Sequence, residues 1–196
     1  MSKLTFELKR KTIHLIGLLY VLAYWILLKL TSSSRLAMLF LLSVFITFVS
    51  IDFFRIIKRQ KIPIFHIFYR DREENSLAGN VYYILGIIIA LSLFDFDIAI
   101  AVILMTVLGD MAAAIFGIAF GKHWIKKLKD TAWEGIAAEF VVDLIIGFLI
   151  IGNWMIVIPM ALMATLVETI FPHVDDNLAI PIFSGFIAQG IKMLIY

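Results

Sequence analysis

Four acids stand where apolar sequence would otherwise run on: Asp110, Glu139, Asp143 and Glu168. At membrane depth a charged side chain costs on the order of 2.5–3.5 kcal/mol on insertion scales, so each needs a reason. Glu139 and Asp143, four residues apart, fall on one face of a helix. Asp52 closes an apolar run and reads as interfacial. Two polar stretches between the runs add to these acids. GKHWIKKLKDTAWEG, residues 121–135, is a cationic loop that runs into a helix start. FPHVDDNLAIP, residues 171–181, carries Asp175 and Asp176 with Asn177 beside them. Lysines and helix N–H groups neutralise phosphate oxygens, and carboxylates hold a hard cation through oxygen. Such a set suits a magnesium-bound polyphosphate. A cationic loop can equally be only topogenic, and Asp-Asp-Asn can be a solvated turn.

The element holding Asp110 also carries Gly109, Ala113, Gly117 and Gly121, a stripe of small residues. Such a stripe lets another helix backbone come close. Packing alone accounts for the stripe. It does not account for the acid placed beside it.

Composition decides what kind of element this is. Of 196 residues 62% are hydrophobic and 14% aromatic, with a mean hydropathy of +1.00. Soluble domains run nearer 45–50% apolar, so lipid is the expected solvent. The expected fold is all-α: one integral membrane domain over residues 1–196, a polytopic bundle of about seven transmembrane helices. The apolar runs are Ile13–Leu30, Leu36–Phe54, Leu77–Phe94, Ile98–Phe120, Trp133–Ile151, Trp154–Phe171 and Ile182–Tyr196. The last is short for a bilayer. Alternating polar and apolar residues, the mark of a membrane β-barrel, are not seen. The first run is too long for a signal-peptide core and lacks a clear cleavage site, so it is expected to stay. There are no cysteines, which excludes disulfides, thiolate metal sites and cysteine nucleophiles. With the N-terminus inside, fourteen of the seventeen basic residues fall in cytosolic segments; Lys29, Arg35 and Lys192 do not. The expected topology is therefore N-in, C-out, with residues 121–135 and 171–181 both facing the cytosol. The long connection after the second run contains Ile62–Tyr69, which could lie in the headgroup layer.

These residues resemble the CTP-dependent lipid-alcohol kinases, a family of dolichol kinase, phytol kinase and CTP-using diacylglycerol kinase. Its nucleotide motif begins DxxAxxxGxxxG, and Asp110, Ala113, Gly117 and Gly121 match it. The motif ends in x-E-G, matched by Glu134 and Gly135. Between them Asp130, Thr131 and Ala132 stand where the family has two lysines and a threonine or serine; a small shift puts Lys129 and Thr131 in those roles. Arg10, Lys11, His14 and Gly17 are similar to its N-terminal signature, and Asp175 to Pro181 to its late acidic loop.

The resemblance implies transfer of the γ-phosphate of CTP to a long-chain lipid alcohol at the cytosolic face, in a prokaryotic plasma membrane or an endomembrane. It implies magnesium on Asp110, Asp175 and Asp176, with Asp176 also in the catalytic set. Arg10, Lys11, His14, Gly117, Gly121, Gly135, Thr131 and Asn177 would bind the nucleotide. Lys122, Lys126, Lys127 and Lys129 would reach the triphosphate. Glu134 would orient a lysine or accept the alcohol's proton. Asp143, deeper in its span, is expected to matter much less. The expected partners are the lipid alcohol, the nucleoside triphosphate and membrane lipids, and no nucleic acid. Two rivals use the same residues: a cytidylyltransferase releasing pyrophosphate, and a small transporter or channel lined by Asp110, Glu139, Asp143 and Glu168. No internal repeat favours the transporter.

Overall fold

A computed structural model describes the backbone of residues 3–58, 76–125, 132–170 and 174–196, and the side chains of these except 3–14 and 168–170. Every described element is helical apart from an isolated bridge between Trp124 and Ala132. Seven helices follow the seven apolar runs. They are α1 (Lys3–Thr31), α2 (Ser34–Lys58), α3 (Gly79–Leu93), α4 (Phe96–Phe120), α5 (Trp133–Ile150), α6 (Trp154–Ile170) and α7 (Asp176–Ile195).

Length and apolarity separate them. Three are long and apolar enough to cross a membrane: α2, α4 and α7. That number corrects the expected seven, and the shortfall has local causes. Helix α3 has 15 residues, about 22 Å at 1.5 Å per residue. The described apolar parts of α1 and α6 are also short, Leu15–Thr31 and Trp154–Val167. Helix α5 carries Glu134, Glu139 and Asp143. Conversely, α7 is longer than its apolar run because it starts at Asp176, six residues before Ile182. The Asp175 side chain accepts from the Asn177 N–H and so caps it. A carboxylate pair read as a loop is a helix start.

Consecutive helices pack on one another as antiparallel neighbours do. Chain ends and loops therefore alternate between two ends of the bundle. Residues 76–78, 121–125, 132 and 174–175 share one end; the turns at 32–33, 94–95 and 151–153 share the other. Helix α4 is the axis: 56% of its span is buried, against 17% for α2 and 33% for α7. Its first half packs on α3, α5 and α7, and its second half on α5 and α1.

A buried joint between α2 and α3 lies at the loop end. Asp52 and Arg55 are buried, with Arg55 Nε donating to Asp52 Oδ1 at 3.0 Å. Arg55 Nη2 donates to the Ser76 carbonyl at 2.6 Å, and the Ala78 N–H donates to Asp52 Oδ2 at 2.7 Å. Asp52 is thus buried near the end of α2. It is half of a buried pair that ties the end of α2 to the start of α3, and Asp52 Oδ2 and Arg55 Nη2 each find a backbone partner. The segment Ile62–Tyr69 lies outside the described residues.

Candidate functional site

The small stripe on α4 is filled by the backbone of α5. A methyl group at Gly135 would come within 2.7 Å of the Ala113 carbonyl oxygen and 3.3 Å of Gly117 Cα. Any side chain there would push the two helices apart. The packing role that the stripe allows is real. It also has a consequence for chemistry, because it seats Glu134 and Gly135 beside the segment from Asp110 to Gly121.

The ends of the connecting loop are stapled above this contact. The Trp133 N–H donates to the His123 carbonyl at 3.1 Å, and Trp124 Nε1 to the Gly121 carbonyl at 3.2 Å. His123 Nδ1 lies 2.7 Å from Glu134 Oε1, and the His123 N–H donates to Oε2 at 3.4 Å. Among the described residues, His123 is thus a partner of Glu134. No spacing rule singles out His123 in the sequence; its pairing exists only because the loop closes. Lys122 is exposed at this mouth. Lys126, Lys127, Lys129 and Thr131 lie outside the described residues, as do the side chains of Arg10, Lys11, His14 and Glu168.

Deeper along the same contact, α4 changes its winding. Residues Met105–Gly109 form a π-helical turn that ends on Asp110. Such turns insert one extra residue and recur at functional sites. Asp143 of α5 packs into this turn. It is fully buried, and neither carboxylate oxygen has a hydrogen-bond partner. A methyl group at Gly109 would overlap Asp143 Oδ1. Asp110, half-buried, lies close enough for its charge to act on Asp143. Asp143, expected to matter much less, thus lies against Gly109 and within reach of the Asp110 charge. Sequence depth placed it far from the loops, but the π turn sets it beside the first residue of the motif. Glu139 is buried one turn closer to the loop end.

The second acid pair sits at the start of α7. The Asn177 amide Nδ2 donates to Asp175 Oδ1 at 2.7 Å and to Asp176 Oδ1 at 3.1 Å, and its N–H reaches the same two oxygens. Asn177 is buried and its own Oδ1 has no partner. Burial first, and the neighbouring Asp176 second, push the Asp175 carboxyl up to about 7.

Among the described residues no group of three or more histidine or acid side chains is gathered as a metal site. The acids come as pairs, one at Asp110 and Asp143 and one at Asp175 and Asp176. Pairs are enough for magnesium that arrives with a nucleotide, since that ion keeps waters and phosphate oxygens and takes only one or two carboxylates. The orphaned oxygens of Asp143 and Asn177 are hard donors of the right kind.

A probable chloroplastic phytol kinase of Triticum aestivum is a distant relative, 25% identical over 93% of this chain; the chain spans 66% of that relative's length. An uncharacterized protein of Methanocaldococcus jannaschii is 31% identical over 92% of this chain and 92% of its own. No protein-family model matches the sequence, and no solved structure does.

Proposed function

Because the chain belongs to the same family as the uncharacterized Methanocaldococcus jannaschii protein and is distantly related to a phytol kinase, we propose that it is a membrane kinase that phosphorylates a lipid alcohol from CTP. The observation that carries this reading is the α4–α5 contact. It packs the two separated halves of the nucleotide motif, Asp110 to Gly121 and Glu134 to Gly135, backbone against backbone.

In the reaction the alcohol oxygen attacks the γ-phosphorus and the bond from that phosphorus to the β–γ bridging oxygen breaks. The hydroxyl proton passes to a base, and CDP leaves. Such transfer needs positioning and charge neutralisation more than covalent help from the protein. The loop at residues 121–135 supplies cations and backbone N–H groups for phosphate oxygens, with Lys122 exposed at its near edge. Glu134, held by His123 at 2.7 Å, is placed to orient the imidazole or take the proton. Magnesium arriving with the nucleotide would be held by Asp110 at one acid pair or by Asp175 and Asp176, beside the Asn177 amide oxygen, at the other, and would neutralise the triphosphate. The long apolar chain of the alcohol stays in the bilayer beside α4, its hydroxyl at the loop end. Basic-residue counting puts that end in the cytosol.

The experiment is direct. Purified protein is incubated with γ-labelled CTP and a panel of polyprenols, phytol, geranylgeraniol and diacylglycerol. The label is expected in a lipid monophosphate, with one CDP per product. Pyrophosphate released in step with a CDP-lipid would replace the kinase with a cytidylyltransferase.

A further inference from the structure

The carboxyl group of Asp143 has no explanation in the fold. It is wholly enclosed, and neither oxygen is hydrogen-bonded. A buried carboxylate without a partner costs several kcal/mol, so proteins rarely keep one without use. Its surroundings are built to admit it. The opposing residue is Gly109, where any Cβ would overlap Oδ1, and that glycine closes a π turn in an otherwise regular helix. The next residue is Asp110, another acid, whose charge acts on Asp143.

From this juxtaposition we propose that Asp143 is a cation ligand, sharing one divalent ion with Asp110 across the α4–α5 contact. The inference rests on the kinase reading for what the ion does there. It extends that reading to a residue on α5 that lies outside the nucleotide motif. Chemistry favours an ion over the other ways to relieve the carboxyl. Among the described residues no lysine or arginine pairs with it. A proton would serve one oxygen and leave the other orphaned, whereas a hard cation between two carboxylates satisfies both and cancels their repulsion. The π turn then has a purpose. One extra residue in the helix re-aims Asp110, and glycine before it leaves room for the facing carboxylate.

The test needs no turnover. Purified full-length protein in detergent is titrated with Mn2+ alone, and bound metal is counted by electron paramagnetic resonance. Wild type is compared with Asp143→Asn, Asp143→Glu and Gly109→Ala, each first checked for a single size-exclusion peak. Changing a residue that only supports a metal ligand costs 10–100-fold in affinity, and a direct ligand should cost no less. Asp143→Asn should therefore weaken Mn2+ binding at least about tenfold, and Asp143→Glu should recover part of it. Gly109→Ala presses on the same carboxyl from α4 and should weaken binding too, so the idea stays testable if Asp143→Asn does not fold. Wild type that takes up no Mn2+ at millimolar concentration, or Asp143→Asn that binds it as wild type does, overturns the proposal. Kinase activity with unchanged Mn2+ binding in Asp143→Asn would sink this inference and leave the function standing. Lost Mn2+ binding in a protein that labels no lipid would do the reverse.

Discussion

The two ends of the bundle both hold carboxylates, and they treat them in opposite ways. At the end away from the long loops, Lys192 of α7 reaches Asp95 and Asp97 at the start of α4, at 2.9 Å to an oxygen of each. Gln189 accepts from the Asp95 N–H at 2.9 Å. Within that cluster each charge meets an opposite charge, and the cluster does no more than join two helices. Halfway toward the other end, Asp143 faces another acid and meets nothing. Acids that hold a fold are satisfied by the fold. Acids kept for a ligand are left for the ligand to satisfy.

The sharpest way to break this comparison is to show that the two ends do not face opposite sides of the membrane. Single cysteines replacing the exposed Lys122 and Val174 should react with an impermeant thiol reagent from the cytosolic side alone. A cysteine at Tyr196 should react from the other side alone. Labelling of Lys122 and Val174 positions from opposite sides would divide the proposed site.

Next in size is catalysis. Asp110→Asn keeps the shape and removes the charge, so the protein should still insert and fold. Its turnover should fall at least ~100-fold, the scale of one electrostatic stabiliser in a dry site. Near-normal turnover at low magnesium would make Asp110 structural, like the acids at the far end.

Gly135→Ala tests the contact between the two regions of the motif. Its methyl group would meet the Ala113 carbonyl at 2.7 Å. Overpacking of this kind destabilises by about 1–3 kcal/mol. In a chain of this length that lowers the thermal midpoint by roughly 2–10 °C. An unchanged midpoint would mean that the helices are not packed this closely.

The smallest effects belong to the far end. Lys192→Met should leave turnover unchanged and lower the midpoint by less than about 4 °C, since exposed ion pairs contribute little. Its pH dependence has a definite sign. Hydrogen bonds from Lys192 first, and Gln189 next, hold the Asp95 carboxyl below its ordinary value. A group depressed on folding stabilises above its unfolded value, near 4, and loses that contribution as pH falls through the folded one. Asp95→Asn should therefore flatten the stability profile only below about pH 4. A change near neutrality would show that Asp95 does something other than pair with Lys192.

Sequence alone was sufficient for the helices, because each is one local apolar run and lipid tolerates little else. Seven runs became seven helices, and the stripe from Ala113 to Gly121 announced its close contact by residue size. Helix length was less legible. The start of α7 rests on a local cap, Asp175 accepting from the Asn177 N–H, whereas the burial of the Asp52–Arg55 pair depends on Ser76 and Ala78 from the next segment. The partners of the acids were decided wholly in three dimensions. Asp97 and Lys192 are 95 residues apart in sequence, while His123 meets Glu134 only across a closed loop. Asp143 and Asp110 are set on different helices and brought together by one irregular turn. A residue's type and spacing say that a charge is present at a given depth. Whether that charge is answered or left open depends on which helix faces it, and that is settled by packing.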